Sequence, residues 1–456
     1  MDDEIFISTS FFIIKYHHVQ KSQMDEKRLT VQQKVYALTL CAIVFMMAYN
    51  FAAWYVSTLT EIPSFVFEFE KYIPFIPWSI IPYMTSGFFF CVVFFCCQNK
   101  EQFRVLIQRM LFATIIAGIC FLLFPLQYSS PKPEVSNSFL GYSFQFLKVF
   151  DSPFNQAPSL HIAYAFIFWS VFRNLKKGRT LLMLWLILLG ISTLTTYQHH
   201  LIDIIAGSIL AHLSFILFPY SKNDFLYRNF HVANMYFFSA WIFILLALLT
   251  DKFIGHTGLV LLWLALMNML IGYQYQKNNI FFLKNKTGDI PWVKKIFYFP
   301  YLLIYRIFWK FFRKNKTPEE ILPNLYISSR PNYEAVKNFE LTPTTFVYDV
   351  SAEIEELPVI KNTANYHSVP FLDIGTFDIH ETQKLVTKIT ENYRQLPPGG
   401  KILIHCTMGF TRSSVIGILV IKNTLSLPLA EAITIMKTHN KHAVIHTYLK
   451  DFLKKF

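Results

Sequence analysis

Along the first 275 positions apolar residues fall in long unbroken runs, with neither the two-residue period of a strand nor the one-sided stripe of a surface helix. The runs lie at about 36–58, 79–97, 106–125, 158–173, 180–198, 200–218, 235–250 and 255–274. A helix needs about 20 apolar residues to cross a bilayer. Several of the runs are short, and the fourth and fifth carry polar residues at their ends. The expectation is therefore a polytopic α-helical membrane bundle of six to eight spans.

From 276 the pattern changes. "YQKNNIFFLKNKTGDIPWVKK" is mixed, and "IFYFPYLLIYRIFWKFFRKNK" is aromatic with interspersed basic residues and a break at Pro300. The second piece predicts an interfacial helix, although its length alone admits a ninth span. After Lys316 short apolar stretches ("NLYISS", "TFVYDVS", "KILIHC") alternate with helical spacing in "DIHETQKLVTKITENYRQL" and "LAEAITIMKTH". That alternation predicts an α/β domain with a central sheet flanked by helices. Four segments follow: an N-terminal tail at 1–35, a membrane domain at 36–275, a basic-aromatic linker at 276–316 and the α/β domain at 317–456.

Composition reinforces this picture. Of 456 residues, 53% are hydrophobic, and the 16% that are charged thin out over the first 275 positions. A net charge of +13 raises nucleic acid as a partner, but no compact basic-aromatic motif appears and much of the charge flanks the apolar runs. There it orients a membrane protein, and nucleic acid is not expected. With the N-terminus inside, the inner loops hold Lys100, Arg104, Arg109, Arg173, Lys176, Lys177, Arg179, Lys222 and Arg228, against Lys71, Lys132, Lys148 and Lys252 outside. Nine against four favours this orientation, and an even number of spans returns the C-terminal domain to the cytoplasm. The six cysteines show no pairing framework, and Cys406 alone lies in the polar part, which suits a reducing compartment. The first 23 residues start acidic and lack a small-residue cleavage site, so they do not read as a signal peptide. The first span would serve as the insertion signal.

The stretch "KILIHCTMGFTRSS" (401–414) reads as strand, tight loop and helix start. Five residues separate Cys406 from Arg412, with Gly409 among them. A loop of this length turns backbone N–H groups inward as a nest for a phosphate dianion, and Gly409 permits the close turn. The planar fork of Arg412 can hold two phosphate oxygens. Cys406 faces the same positive field, which favours attack as thiolate, and Ser413 can donate to the sulfur as it leaves. The alternative is a plain buried strand-end thiol. The pattern resembles the HCxxGxxRS signature of cysteine-based dual-specificity phosphatases, over 317–456, with a "NLYISSRP" opening and a "VYDVSAE" strand like theirs. The resemblance implies a general-acid Asp in "VPFLDIGTFDIHE", where Asp373 falls at the family's position and is preferred to Asp378. It also makes His405 the family's histidine before the nucleophile. Thr407, Met408, Gly409, Phe410 and Thr411 would line the phosphate. None is basic, which disfavours highly phosphorylated inositol lipids.

The apolar half holds a second constellation. "FNQAPSLHIAY" places His161 at the start of one run, and "TTYQHHLIDIIAG" places His199, His200 and Asp203 at the junction of two others. His199 and Asp203 are four apart and share a helix face. Ionisable groups at a span end are costly unless used; the alternative is a buried polar cluster. In the orientation above both segments lie at the outer surface. The spacing resembles the PSxH and HxxxD motifs of the type-2 phosphatidic acid phosphatase superfamily, including its sphingomyelin and inositol-phosphorylceramide synthase branch, over about 36–275. That resemblance implies attack on phosphorus by His199, a tautomer fixed by Asp203, and leaving-group protonation by His161. Two features depart from it. The first motif survives at best as Lys132-Pro133, a candidate phosphate contact, and the third motif's Arg is Thr193. Fewer fixed cations suit a phosphodiester, as in headgroup transfer, better than a dianion. His200 reads as a neighbour.

The expectation is a membrane phosphatase with two sites, similar to bacterial inner-membrane proteins that join these families. It would act on a phosphorylated lipid or phosphoprotein among membrane lipids, with no metal or cofactor. The alternative is a single cysteine phosphatase anchored by a catalytically lapsed membrane half. A transporter with a regulatory domain is disfavoured, since paired charges deep within the runs are absent.

Overall fold

The computed structural model describes residues 29–135, 138–220, 228–255, 258–314 and 316–456. Most of the expected N-terminal tail, residues 1–28, lies outside them, as does Lys222. The chain packs as two compact units, Met1–Tyr220 with Ile244–Gly258, and Ser221–Phe243 with Leu259–Phe456.

Every apolar run holds a helix: α1 (Val31–Ser57), α2 (Ile80–Val92), α3 (Lys100–Leu123), then, past an unpredicted α4 (Ser138–Phe150), α5 (Leu160–Phe172), α6 (Arg179–Thr195), α7 (Leu201–Leu217), α8 (Arg228–Ile254) and α9 (Leu259–Lys277). Among the described residues four of them, α1, α3, α8 and α9, are long and apolar enough to cross a membrane. Helices α5, α6 and α7 are apolar but have 13, 17 and 17 residues, about 20–26 Å at 1.5 Å per residue. The polar stretch between α6 and α7 leaves the helix and carries His199 and His200, whereas His161 lies in the first turn of α5.

In the first unit α5 packs among α2, α3, α6 and α7 and is buried almost all round, as its unstriped sequence requires. Helix α7 approaches it closely at Gly207, where a Cβ would come 2.5 Å from the Ser159 carbonyl oxygen. Arg109, counted above as an inner-loop charge, is instead buried in α3. Its Nε and Nη2 donate to the Phe218 carbonyl at 3.0 and 2.8 Å, satisfying an orphan acceptor at the C-terminus of α7. Phe215 and Tyr220 cover its guanidinium.

The second unit holds α10 (Trp292–Phe297) and α11 (Phe299–Phe312), with Pro300 in the first turn of α11, where a missing N–H is harmless. Strands β1 (Glu319–Leu322), β2 (Leu325–Ser329), β3 (Thr345–Ser351), β4 (Asn365–Phe371) and β5 (Lys401–Cys406) form one sheet in the order β1-β2-β5-β3-β4. Strand β1 pairs antiparallel with β2, and the other pairings are parallel. Helices α12 (Tyr333–Phe339), α13 (Pro358–Thr363), α14 (Ile379–Arg394), α15 (Arg412–Leu425), α16 (Leu429–His439) and α17 (Thr447–Leu453) complete it. Central β5 has a core on both faces, with Ile402 and Ile404 in one cluster and Leu403 in the other. That explains its unbroken apolar reading. The sheet domain is thus mixed by virtue of one edge strand.

Hydropathy and packing divide the chain at different places. Val232, Ala233, Met267 and Ile271 from α8 and α9 share a core with Phe282, Tyr298, Leu302 and Leu372, so the hydropathy break at 275–276 is not a packing break. Within the 276–316 segment Lys284 is fully buried and donates to Asp349 Oδ2 at 2.7 Å and to the Ser351 carbonyl at 2.8 Å.

Candidate functional site

Strand β5 delivers Cys406 to the sheet's C-terminal edge, and the next helix starts at Arg412. The loop between them is wound about the sulfur. Gly409 N–H points at Cys406 Sγ from 3.2 Å, and Ser413 Oγ lies 3.4 Å from the same sulfur. Gly409 has φ +80°, and a Cβ there would meet the Ser329 nitrogen at 2.8 Å. Only glycine fits both demands.

Arg412 is buried and fixed by partners that sequence reasoning left without a role. Its Nη1 donates to both Glu353 oxygens at 2.9 Å and to the Phe371 carbonyl at 2.9 Å. Thr407 Oγ1 donates to the same carboxylate at 2.7 Å. Burial works against the Arg412 charge, but Glu353, Asp373 and Cys406 outweigh it and keep the guanidinium protonated, above its ordinary range. Glu353 ends the "VYDVSAE" stretch just past β3. Its signal was a carboxylate directly after an otherwise buried strand.

The two candidate acids separate. Asp373 Oδ1 lies 3.3 Å from Arg412 Nη2. Asp378 caps α14, accepting from Glu381 N–H at 2.9 Å. Asp373 is held by aromatic side chains from helices upstream of the sheet domain: Tyr305 Oη donates to its Oδ2 at 3.3 Å and Tyr275 Oη to its carbonyl at 2.9 Å. Sequence spacing gave no hint of these tyrosines.

His405 is buried beneath the loop, its Nε2 2.7 Å from Glu356 Oε2 and its Nδ1 3.9 Å from Asp349 Oδ1. Asp349, Glu356 and His405 bring ligand-type atoms within 4.8 Å of one another, which is spacing a cation could use. Two protein cations already serve these carboxylates: Lys284 Nζ at 2.7 Å from Asp349, and Arg330 Nε at 3.6 Å from Glu356. Burial alone would raise the Asp349 carboxyl, but Lys284 and His405 outweigh it and hold it below the usual range.

In the first unit α5 and α7 start side by side. Ser159 N–H donates to the Asp203 carbonyl at 3.0 Å, so the segments carrying His161 and His199 are joined at the backbone. His199 Nδ1 lies 3.3 Å from Asp203 Oδ2, and the same oxygen accepts from His200 N–H at 2.8 Å. The rings of His161 and His199 are 5.8 Å apart, centre to centre, and both line one cavity of about 370 Å³. Asp151, unassigned from sequence, lines it too and accepts from the Tyr49 and Tyr83 hydroxyls. Tyr83 also stacks on His161 at 4.3 Å. His200 turns elsewhere: its Nδ1 meets Glu70 Oε2 at 3.0 Å and its ring stacks on Tyr128. Lys132 donates to Gln198 Oε1 at 2.8 Å, one residue before His199. Thr193, where an arginine was expected, accepts the His199 N–H on its carbonyl at 3.1 Å.

Residues 78–217 match the PAP2 superfamily. The chain is similar to Tk-PTP in its active form, at 20% identity over 30% of this chain and 95% of that one, with a TM-score of 0.26. It is also similar to human DUSP28 (17% identity, 31% and 94%, TM-score 0.25). A third similar structure is the human tyrosine phosphatase-like serine/threonine/tyrosine-interacting protein (16% identity, 31% and 95%, TM-score 0.27).

Proposed function

We propose that this chain is a membrane-embedded phosphatase with two phosphate-ester sites, spanning the membrane six to eight times and carrying its cysteine site in the cytoplasm. The observation that carries the reading is the loop at Cys406, with an amide aimed at the sulfur and a buried guanidinium locked beside it by Glu353.

The geometry supports a two-step reaction. Cys406 Sγ attacks phosphorus and forms the S–P bond as the ester P–O bond breaks; Asp373 gives its proton to the departing oxygen. The Nη1 of Arg412 is committed to Glu353 and Phe371, and Nη2 faces Asp373 Oδ1, so Nε and the second N–H of Nη2 are the donors for equatorial oxygens, together with the loop amides. Water then attacks the phospho-cysteine, Asp373 takes its proton, and the sulfur leaves as thiolate beside the Ser413 hydroxyl. No step requires a metal.

In the membrane half Asp203 engages His199 Nδ1, which leaves Nε2 to attack phosphorus in the shared cavity while His161 protonates the leaving alcohol. Lys132 is the nearby cation, through Gln198. A lapsed, lipid-holding membrane half is the second reading, favoured by the cation-poor lining and by Asp151, an acid where a phosphate dianion would need positive charge.

Full-length wild type, Cys406→Ser and His199→Ala, each assayed on an aryl phosphate and on lipid phosphates in mixed micelles, test both readings. Loss of aryl phosphate turnover in Cys406→Ser, reduced by the 10³-fold or more typical of a lost nucleophile, is expected. Retained turnover would sink the cysteine assignment. A His199→Ala variant indistinguishable from wild type on every lipid would leave only the anchor.

A further inference from the structure

Beside the phosphate loop the second unit has a cavity of about 700 Å³, within the usual range for small-molecule sites. Asp373, Met408 and Phe410 form its catalytic end, and Phe243, Leu264 and Phe308 belong to its far walls. Those walls come from α8 and α9, two of the helices long and apolar enough to cross a membrane, and from α11. Accepting the cysteine chemistry proposed above, we infer that this site takes a lipid phosphomonoester, its phosphate in the loop and its hydrocarbon chain in this cavity.

Three observations converge on that occupant. The residues of the loop that face the cavity, Met408 and Phe410, are apolar, so what lies next to the phosphate is hydrocarbon rather than a charged peptide or a polyphosphorylated ring. The third wall, α11, leaves Ile304, Phe308, Phe311 and Phe312 between 50% and 67% exposed. An apolar face of that size on a helix with Arg306 and Lys310 suits the headgroup boundary of a bilayer. The chain is also tied to the chemistry from the middle of this helix and from just past its C-terminus: Tyr305 Oη reaches the Asp373 carboxylate, and Lys314 N–H donates to the Met408 carbonyl at 3.2 Å. A helix resting on lipid therefore bears directly on the general acid and the phosphate loop.

The test uses full-length His199→Ala protein, so that only the cysteine site reports, and monomeric butyl, hexyl and octyl phosphates as probes. Each methylene moved from water into an apolar site is worth up to roughly fourfold, so kcat/KM is expected to climb steeply along the series. Ser239→Trp, which fills the cavity between its helical walls, is expected to flatten the climb. Dioleoyl phosphatidic acid in nanodiscs should be hydrolysed, and the hydrolysis should vanish in the Cys406→Ser, His199→Ala double variant. A flat alkyl series with efficient cleavage of a phosphotyrosine peptide would overturn the lipid assignment and keep the phosphatase. Absence of Cys406-dependent turnover on every probe would overturn both. The wild-type chain-length dependence stands as a test even if the tryptophan variant misfolds.

Discussion

Single side chains decide which of several equivalent-looking residues is used. Asp373 and Asp378 stand five apart in one loop, and only their partners distinguish them: a guanidinium for one, a helix N-terminus for the other. Asp373→Asn is expected to lower kcat on alkyl phosphates by about 10²–10⁴, the span of general-acid catalysis. Asp378→Asn should leave both kcat and melting temperature close to wild type, because asparagine caps a helix about as well as aspartate. Steady-state rates on one alkyl phosphate separate the two; equal losses would refute the assignment. Glu353 is a different case. Removing it in Glu353→Ala takes away the buried carboxylate partner of the Arg412 guanidinium and leaves Asp373, itself about a third exposed, the Cys406 sulfur and the Phe371 carbonyl. Uncompensated buried charges typically cost about 3–5 kcal/mol. A large drop in thermal stability with loss of turnover is expected, and a normal melting curve would show the pair to be dispensable.

Among elements, the joint between α5 and α7 positions the histidines. Gly207 lets the two helices approach until the Ser159 amide and the Asp203 carbonyl bond. A methyl group at 2.5 Å from backbone oxygen has no flexible neighbour to push aside. Gly207→Ala should therefore part the helix starts at a cost of about 1–3 kcal/mol and lower any His199-dependent lipid turnover. Cys406-dependent hydrolysis of aryl phosphate, which resides in the other unit, should be unchanged. Parallel assays of both activities in one preparation check this. Nothing in the sequence marked Gly207, because a glycine in an apolar helix reads as an ordinary small residue until its neighbour is known.

The α11 helix region carries the other element-scale lesson. Its basic-aromatic text was legible as an interfacial helix, and the helix is there. That Tyr305 would reach Asp373 from it was not legible, since 68 residues separate them.

For the whole molecule, the proposed orientation predicts protease protection. In sealed inside-out vesicles the C-terminal domain should be cut, and in right-side-out vesicles it should survive. The reverse pattern would put Cys406 on the oxidising side and reverse the charge-based topology. The charge count behind that topology needs one amendment, because buried Arg109 caps a helix end and is not a free loop cation.

The sequence by itself determined the local features: apolar runs become helices, "KILIHC" becomes a strand buried on both faces, and Cys406 and Arg412 flank one short loop that holds Gly409. Those outcomes follow from periodicity and from turn geometry, which act over a few residues. Tertiary structure alone decided the partners drawn from distant segments: Glu353 under Arg412, Lys284 against Asp349, Asp151 beside His161 and His199, and hydrophobic helices grouped with the α/β sheet. The physical reason is that a buried charge needs an opposite charge or a hydrogen bond from wherever the fold can supply one. That requirement has no fixed spacing along the chain.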